Sequence, residues 1–371
     1  MTLLAALSLL IWTYLLGGHG KFWQSGPVLP VRAPSATPPV AVVVPARDEA
    51  AVIGGSLRSL LAQDYAGPMR VILVDDGSAD GTAEVARSLG HHGLTIIEAG
   101  PRPAGWSGKL WAVSRGVAEA GDTDLVLLTD ADILHQPAHL ATLVAKMEQD
   151  DLDLVSEMVE LACDSPAERA LVPAFVFFFQ LLYPFSRVND KSSRTAAAAG
   201  GTILIRQRAL RRIGGVDSVK SALIDDVALA TAVKQGGPIW LGHATLARSV
   251  RPYPHAADIW RMIARTAYVQ LRHSPLLLAT TTAGMALTWL VPPAAALFGH
   301  GAAFWCGLAA WIMLAVSYVP TLRRFRRSVL WAPFLPLIAA FYMAATIGSA
   351  VNHHMGRGVA WKGRDYQGSA A

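Results

Sequence analysis

The chain has 371 residues, is 53% hydrophobic and only 16% charged, and has a mean hydropathy of +0.36. The charged share is well under the roughly 25% of an average soluble domain, which points to a substantial lipid-facing part beside one domain of about 250 residues. A formal net charge of +5 without a basic stripe argues against a nucleic-acid partner, and two distant cysteines, Cys163 and Cys306, make neither a disulfide framework nor a zinc pattern.

In chain order, Thr2–Leu16 is the first charge-free stretch. It is short for a span, but no basic run precedes it and no small-residue cleavage site follows, so residues 1–20 are expected to be a retained anchor rather than a signal peptide. The prolines of residues 21–39 mark a linker. From residue 40 the pattern alternates. Val40–Val44, Arg70–Val74, Leu94–Ile97 and Leu125–Leu128 are apolar, β-branched runs; Val52–Ala62, Thr82–Leu89 and Lys109–Ala120 have helical spacing between them. That order predicts βαβ units and an α/β domain over 40–255, a mostly parallel sheet with helices on both faces. In such sheets ligands bind beyond the carboxyl ends of the strands.

The residues at those ends are acidic: Pro45-Ala46-Arg47-Asp48-Glu49, Asp75-Asp76-Gly77-Ser78 and Asp130-Ala131-Asp132. At a single strand end helix capping would explain them; three on one sheet edge predict a site. Two carboxylates spaced by two suit Mg²⁺ or Mn²⁺ on a pyrophosphate, one oxygen set on the metal and the other on a ribose hydroxyl. Gly105-Trp106-Ser107-Gly108-Lys109 is not a Walker A loop, because Pro103 stands where its first glycine belongs and Leu110 replaces Ser/Thr. Lys109 is either a donor contact or a solvated lysine opening a helix. Gly200–Arg206 is a further strand, and Asp225-Asp226 open an apolar-periodic helix, either as caps or as a general base for an acceptor hydroxyl.

Ala170–Phe185 carries no charge inside this domain and is expected either to be a core helix or to dip into the bilayer as an acceptor gate. Residues 256–275 place Arg261, Arg265 and Arg272 opposite Ile259, Trp260, Ile263 and Tyr268. That is an interfacial amphipathic pattern, from which Arg265 is the alternative candidate to reach a pyrophosphate. Over 276–351 three stretches, Leu276–Phe298, Ala302–Val319 and Val329–Val351, contain no Asp, Glu, Lys or Arg, as spans require. The basic run Arg323–Arg327 is expected on the cytoplasmic side, and the polar middle of the chain with it. The basic tail, 352–371, conflicts with that count unless Pro333 and Pro336 turn the last stretch into a re-entrant hairpin.

Together, Pro45–Glu49, Asp75–Ser78, Asp130–Asp132, Gly200–Gly201 and Asp225–Asp226 resemble the family 2 glycosyltransferases of GT-A (Rossmann-like) fold, over roughly residues 40–273. The apolar C-terminal stretches and Gly358–Arg364 resemble the lipid-glycosylating branch. Arg265–Leu271, with the paired Asp225-Asp226, resembles bacterial hopanoid-biosynthesis-associated members. The resemblance implies an inverting transfer from a nucleotide-sugar donor, UDP-sugars foremost, to a membrane lipid at the bacterial inner membrane. It implies a donor set of Pro45, Asp48, Glu49, Asp75, Asp76, Lys109, Asp130 and Arg265. Asp132 with Asp130 would hold Mg²⁺ or Mn²⁺, and Asp226 would be the base supported by Asp225. The Gln and Trp of the Q-x-x-R-W motif of processive synthases are missing at Met262–Thr266, which counts against a polymerising enzyme. A silent membrane scaffold is the alternative from another class, against which the intact carboxylate set stands.

Overall fold

The computed structural model describes residues 1–222, 224–356, 359–361 and 364–366. The chain divides into two compact units. One comprises Pro27–Ala162 and Arg187–Pro252; the other comprises Met1–Gly26, Cys163–Ser186 and the chain from Tyr253 onward.

The first unit is an eight-stranded sheet in the order β3-β2-β1-β4-β7-β6-β8-β5. Its strands are β1 (Val40–Ala46), β2 (Met69–Asp75), β3 (Leu94–Glu98), β4 (Leu125–Thr129), β5 (Ile133–His135), β6 (Leu154–Glu160), β7 (Thr202–Arg206) and β8 (Ile239–Ser249). The expected βαβ units are present: β1 pairs in parallel with both β2 and β4, and β2 with β3. Val40 to Val44 are all 2% exposed or less, as a strand covered on both faces must be. Strand β7 runs antiparallel to β4, with Thr202 opposite Thr129. Its start, and therefore Gly200-Gly201, consequently lies at the edge where β4 ends.

The helices of this unit are α2 (Ala50–Leu61), α3 (Thr82–Arg87), α4 (Gly108–Ala120), α5 (His139–Gln149), α8 (Gln207–Arg212) and α9 (Asp225–Lys234), numbered along the chain. Helix α4 sits unusually close to the sheet. A Cβ on Gly116 would come within 2.4 Å of Val43 Cγ1 and 2.9 Å of Val74 Cγ2, so only glycine permits this approach. Ser107 caps the helix by accepting from the Leu110 amide at 3.3 Å. These two contacts set the first turn of α4, with Lys109, against the edge of the sheet where β1 and β2 end.

The second unit contains α1 (Thr2–Gly17), α6 (Pro166–Leu182), α10 (Ala256–Gln270), α11 (Pro275–Met285), α12 (Val291–Phe298), α13 (Ala302–Arg324) and α14 (Leu335–His354); α7 (Phe185–Asn189) leads back to the sheet. Three segments, Pro275–Phe298, Ala302–Arg324 and Val329–His354, are long and apolar enough to cross a membrane. At 16 residues α1 is shorter than a full span. The re-entrant hairpin is not formed: Pro333 lies in a 3₁₀ turn and Pro336 in the first turn of α14, where a missing amide costs nothing, and the helix continues unbroken to His354. Helix α6 is not broken by Pro173 and groups with the apolar helices. Its Phe177 and Phe178 meet Trp289, Tyr318 and Tyr342 edge-on at 4.9–6.2 Å, and the Tyr342 hydroxyl donates to the Leu171 carbonyl at 3.0 Å. On α10 the buried positions are Ile259 and Tyr268, while Trp260 packs on Phe341 and the exposed Arg261 pairs with Asp258. Of the basic tail, Arg357 and Lys362 lie outside the described residues; strands Val359–Trp361 and Arg364–Tyr366 pair antiparallel.

Candidate active site

The acidic ends of β1, β2 and β4 are neighbours because those three strands are adjacent and parallel. The loops after β1 and β2 are stitched together. The Asp48 amide donates to Ser78 Oγ at 3.0 Å and Asp48 Oδ1 accepts from the Ala79 amide at 2.9 Å. The Glu49 amide donates to Thr82 Oγ1 at 2.8 Å, and the Ala50 amide to Asp80 Oδ2 at 2.9 Å. Asp48 adopts a left-handed φ of 50°, a conformation tolerated by Asp more readily than by bulky residues. Asp75 accepts from the amide and hydroxyl of Ser78, closing the Asp75–Ser78 turn, and Asp76 lies 3.9 Å from Arg47.

Beside this rim is a cluster of three carboxylates around one ammonium. Lys109 Nζ lies 2.8 Å from Asp130 Oδ1 and 3.5 Å from Asp225 Oδ2. Asp226 Oδ2 accepts the Gly200 amide at 2.9 Å. The residue that caps α9 is Ile224, without a side-chain bond; Asp226 Oδ1 accepts the Val227 amide of its own first turn at 2.8 Å, while Oδ2 reaches across to the β7 turn. A Cβ on Gly200 would lie 3.4 Å from Lys109 Nζ, 3.5 Å from Asp226 Oδ2 and 3.9 Å from Asp130 Oδ2; the bare glycine therefore leaves a recess bounded by all three. Pro45, Thr129 and Leu229 line the same recess.

The electrostatics follow from this crowding. Burial and the adjacent Asp225 push the Asp226 carboxyl up to about 7, against the pull of Lys109. Burial also raises Asp130, only partly offset by Lys109. Burial disfavours the Lys109 ammonium, but Asp130 and Asp225 outweigh it and hold the group firmly protonated.

Asp132 faces a different cation. Its Oδ2 is 2.7 Å from Arg251 Nε and 3.3 Å from Ser249 Oγ, and Arg251 continues to Glu49 at 2.5 Å. Arg251 and Ser249 were not anticipated from the sequence: they sit at and just beyond the end of β8, which runs parallel to β6, more than a hundred residues from the acids they meet. Arg265 lies on α10 in the other unit.

Five carboxylates, Glu49, Asp130, Asp132, Asp225 and Asp226, thus meet two cations, Lys109 and Arg251. A pyrophosphate would be repelled by that excess unless further positive charge accompanied it. The hard oxygen donors of Asp130 and Asp132 suit a divalent ion of the Mg²⁺ or Mn²⁺ kind. Among the described residues no three His, Cys, Asp or Glu side chains converge as a protein-only metal cage.

Residues 41–214 match the family described as Glycosyl transferase family 2. A 4,4'-diaponeurosporenoate glycosyltransferase of Staphylococcus aureus is 39% identical over 93 residues, which are 25% of this chain and 23% of that protein; the chain spans about a quarter of the length of the curated relatives it matches. Among solved structures, the mannosyltransferase PcManGT from Pyrobaculum calidifontis, in complex with GDP-Man and Mn²⁺, has the same fold. It is 20% identical, with a TM-score of 0.54 over 93% of this chain and 98% of that one. The sheet is accordingly a GT-A fold.

Proposed function

We propose that the protein is an inverting glycosyltransferase that moves one sugar from a nucleotide-sugar donor to the hydroxyl of a membrane lipid. The observation that carries this reading is the recess over Gly200, where a carboxylate raised to about 7 faces an ammonium at the strand ends of a family 2 domain. Asp226 takes the proton of the acceptor hydroxyl as its oxygen bonds to the anomeric carbon, and the bond to the nucleoside diphosphate breaks on the opposite face. Asp225 raises the basicity of Asp226. Lys109 lies where the leaving phosphate develops charge. Asp48, Glu49, Asp75 and Asp76 form the rim for the nucleoside. Asp132 with Asp130 would hold a divalent ion, which would supply Lewis-acid neutralisation of the diphosphate.

A lipid acceptor is supported by the three apolar segments and by the relative whose name gives a carotenoid acid as its substrate. A bacterial inner-membrane location, with the catalytic unit on the cytoplasmic face, is part of the same proposal; the basic run Arg323–Arg327 supports the orientation through the positive-inside rule. Within the lipid class, hopanoids are the acceptor we propose.

The test is transfer of labelled sugar by the detergent-purified protein from a panel of nucleotide sugars. Lipid extracts with and without hopanoids serve as acceptors, with Mg²⁺ or Mn²⁺ and with EDTA. A metal-dependent product bearing one sugar is expected, formed only from the hopanoid-containing extract. A polymer would point to a synthase. Absence of both transfer and nucleotide-sugar binding would point to a scaffold.

A further inference from the structure

Beneath the recess runs a line of side chains that the transfer step does not use. Thr129 Oγ1 donates to the Gly201 carbonyl at 2.8 Å and lies 3.1 Å from His135 Nε2. His135 Nδ1 is 2.8 Å from His139 Nδ1, and His139 Nε2 is 2.9 Å from Glu157 Oε2. Thr129, His135, His139 and Glu157 are each 5% exposed or less. Four elements contribute: the end of β4, β5, the first residue of α5, and β6.

The hydrogens in this line can be counted. The hydroxyl of Thr129 has one proton. When that proton goes to the Gly201 carbonyl, His135 Nε2 must be the donor to Thr129 Oγ1. Neutral His135 then has a bare Nδ1, so His139 Nδ1 carries the next proton. The contact between His139 Nε2 and Glu157 is left needing one proton more, on either partner. Without that proton the line reverses: His139 Nε2 donates to the carboxylate, His135 Nδ1 donates to His139, and Thr129 must donate to His135. The Thr129–Gly201 bond is then lost, leaving Gly201 with the Thr202 hydroxyl at 2.8 Å. Burial and the neighbouring His139 hold His135 far down, which keeps it the neutral member in either arrangement.

We propose that Glu157 and His139 hold one buried proton, and that this proton orients His135 and Thr129 so that the Thr129–Gly201 bond clamps the end of β4 to the turn before β7. Asp130 follows Thr129 directly, and Gly200, whose amide holds Asp226, precedes Gly201. The clamp therefore fixes the distance between the two carboxylates that flank the recess. Thr129, His135, His139 and Glu157 are positioning residues in this scheme. Its kinetic consequence rests on the transfer reaction proposed above; its proton count does not.

Two arms keep those apart. In ¹⁵N-histidine-labelled protein, imidazole nitrogen shifts are expected to show His135 protonated at Nε2 and His139 protonated at Nδ1. His135 protonated at Nδ1 would overturn the proposal whatever the enzyme does. In the kinetic arm, Glu157→Gln presents a side-chain N–H to His139 and mimics the loaded state, so it is expected to keep kcat within about twofold. Glu157→Leu and Thr129→Val remove the drive and the clamp. Each is expected to lower kcat by about tenfold or more with donor KM little changed, since a small misplacement acts on the reacting geometry. Thr129→Ser should restore kcat. Loss in Glu157→Gln equal to that in Glu157→Leu, or no rescue by Thr129→Ser, would show these residues to be packing only. If the wild type transfers no sugar, the proposed function fails while the nitrogen shifts still decide the proton count.

Discussion

Replacing Lys109 with Met tests the electrostatics of the recess most directly. Lys109 Nζ and Asp226 Oδ2 both lie within 3.5 Å of the place a Gly200 Cβ would occupy, so they are no farther apart than about 7 Å. At an effective dielectric of about 20, unit charges at that distance interact by roughly 2 kcal/mol, equivalent to between one and two pH units. The sign is fixed: the ammonium stabilises the ionised carboxylate, so its removal raises Asp226 from about 7. Asp226 must be deprotonated to act as base, so kcat/KM of the wild type should climb about tenfold between about pH 6 and pH 8. In Lys109→Met the acid limb should move up by one to two units. The assay is single-sugar transfer against pH at subsaturating donor, with the limb position read independently of the absolute rate. A limb that stayed in place, or moved down, would refute both the base assignment and the role given to Lys109.

The other predictions share that assay. Asp225→Asn removes the like charge that helps raise Asp226, so its acid limb should move to lower pH, while Asp226→Asn should keep donor binding and lose transfer by about a hundredfold or more. Gly200→Ala puts a methyl among Lys109, Asp226 and Asp130; donor turnover should fall by about tenfold or more while the melting temperature, read by a thermal shift, changes little. Asp132→Ala should weaken donor binding in Mn²⁺ by about tenfold or more and leave the weak binding in EDTA unchanged, as measured by calorimetry; equal loss in both conditions would assign Asp132 to Arg251 alone.

The parts of this fold legible in the sequence are those whose signal is local. Val40–Val44 is apolar throughout because both its faces are covered, and the acids that follow each such run stand out by contrast. The paired Asp225-Asp226 could be placed at a helix start, yet whether they cap it or act elsewhere depended on Gly200, which the antiparallel β7 brings to the same edge. Arg251 carried no local mark, being one basic residue after an apolar strand. The histidines of the buried line were equally silent, since His135 and His139 fall on different elements and acquire meaning only when β6 delivers Glu157. Other histidines pair with one another: His91 lies on His92 at 4.9 Å, His353 lies on His273 at 4.2 Å, and His353 meets His354 edge-on at 5.4 Å.

The stitched loops after β1 and β2 have a dynamic consequence. Four cross-loop bonds, from Asp48, Ala79, Glu49 and Ala50, join segments that a single strand end could not hold by itself. Such a double loop opens as one cooperative unit or not at all, so its amides should exchange with solvent at a common rate. The rim proposed above for the nucleoside is then preformed.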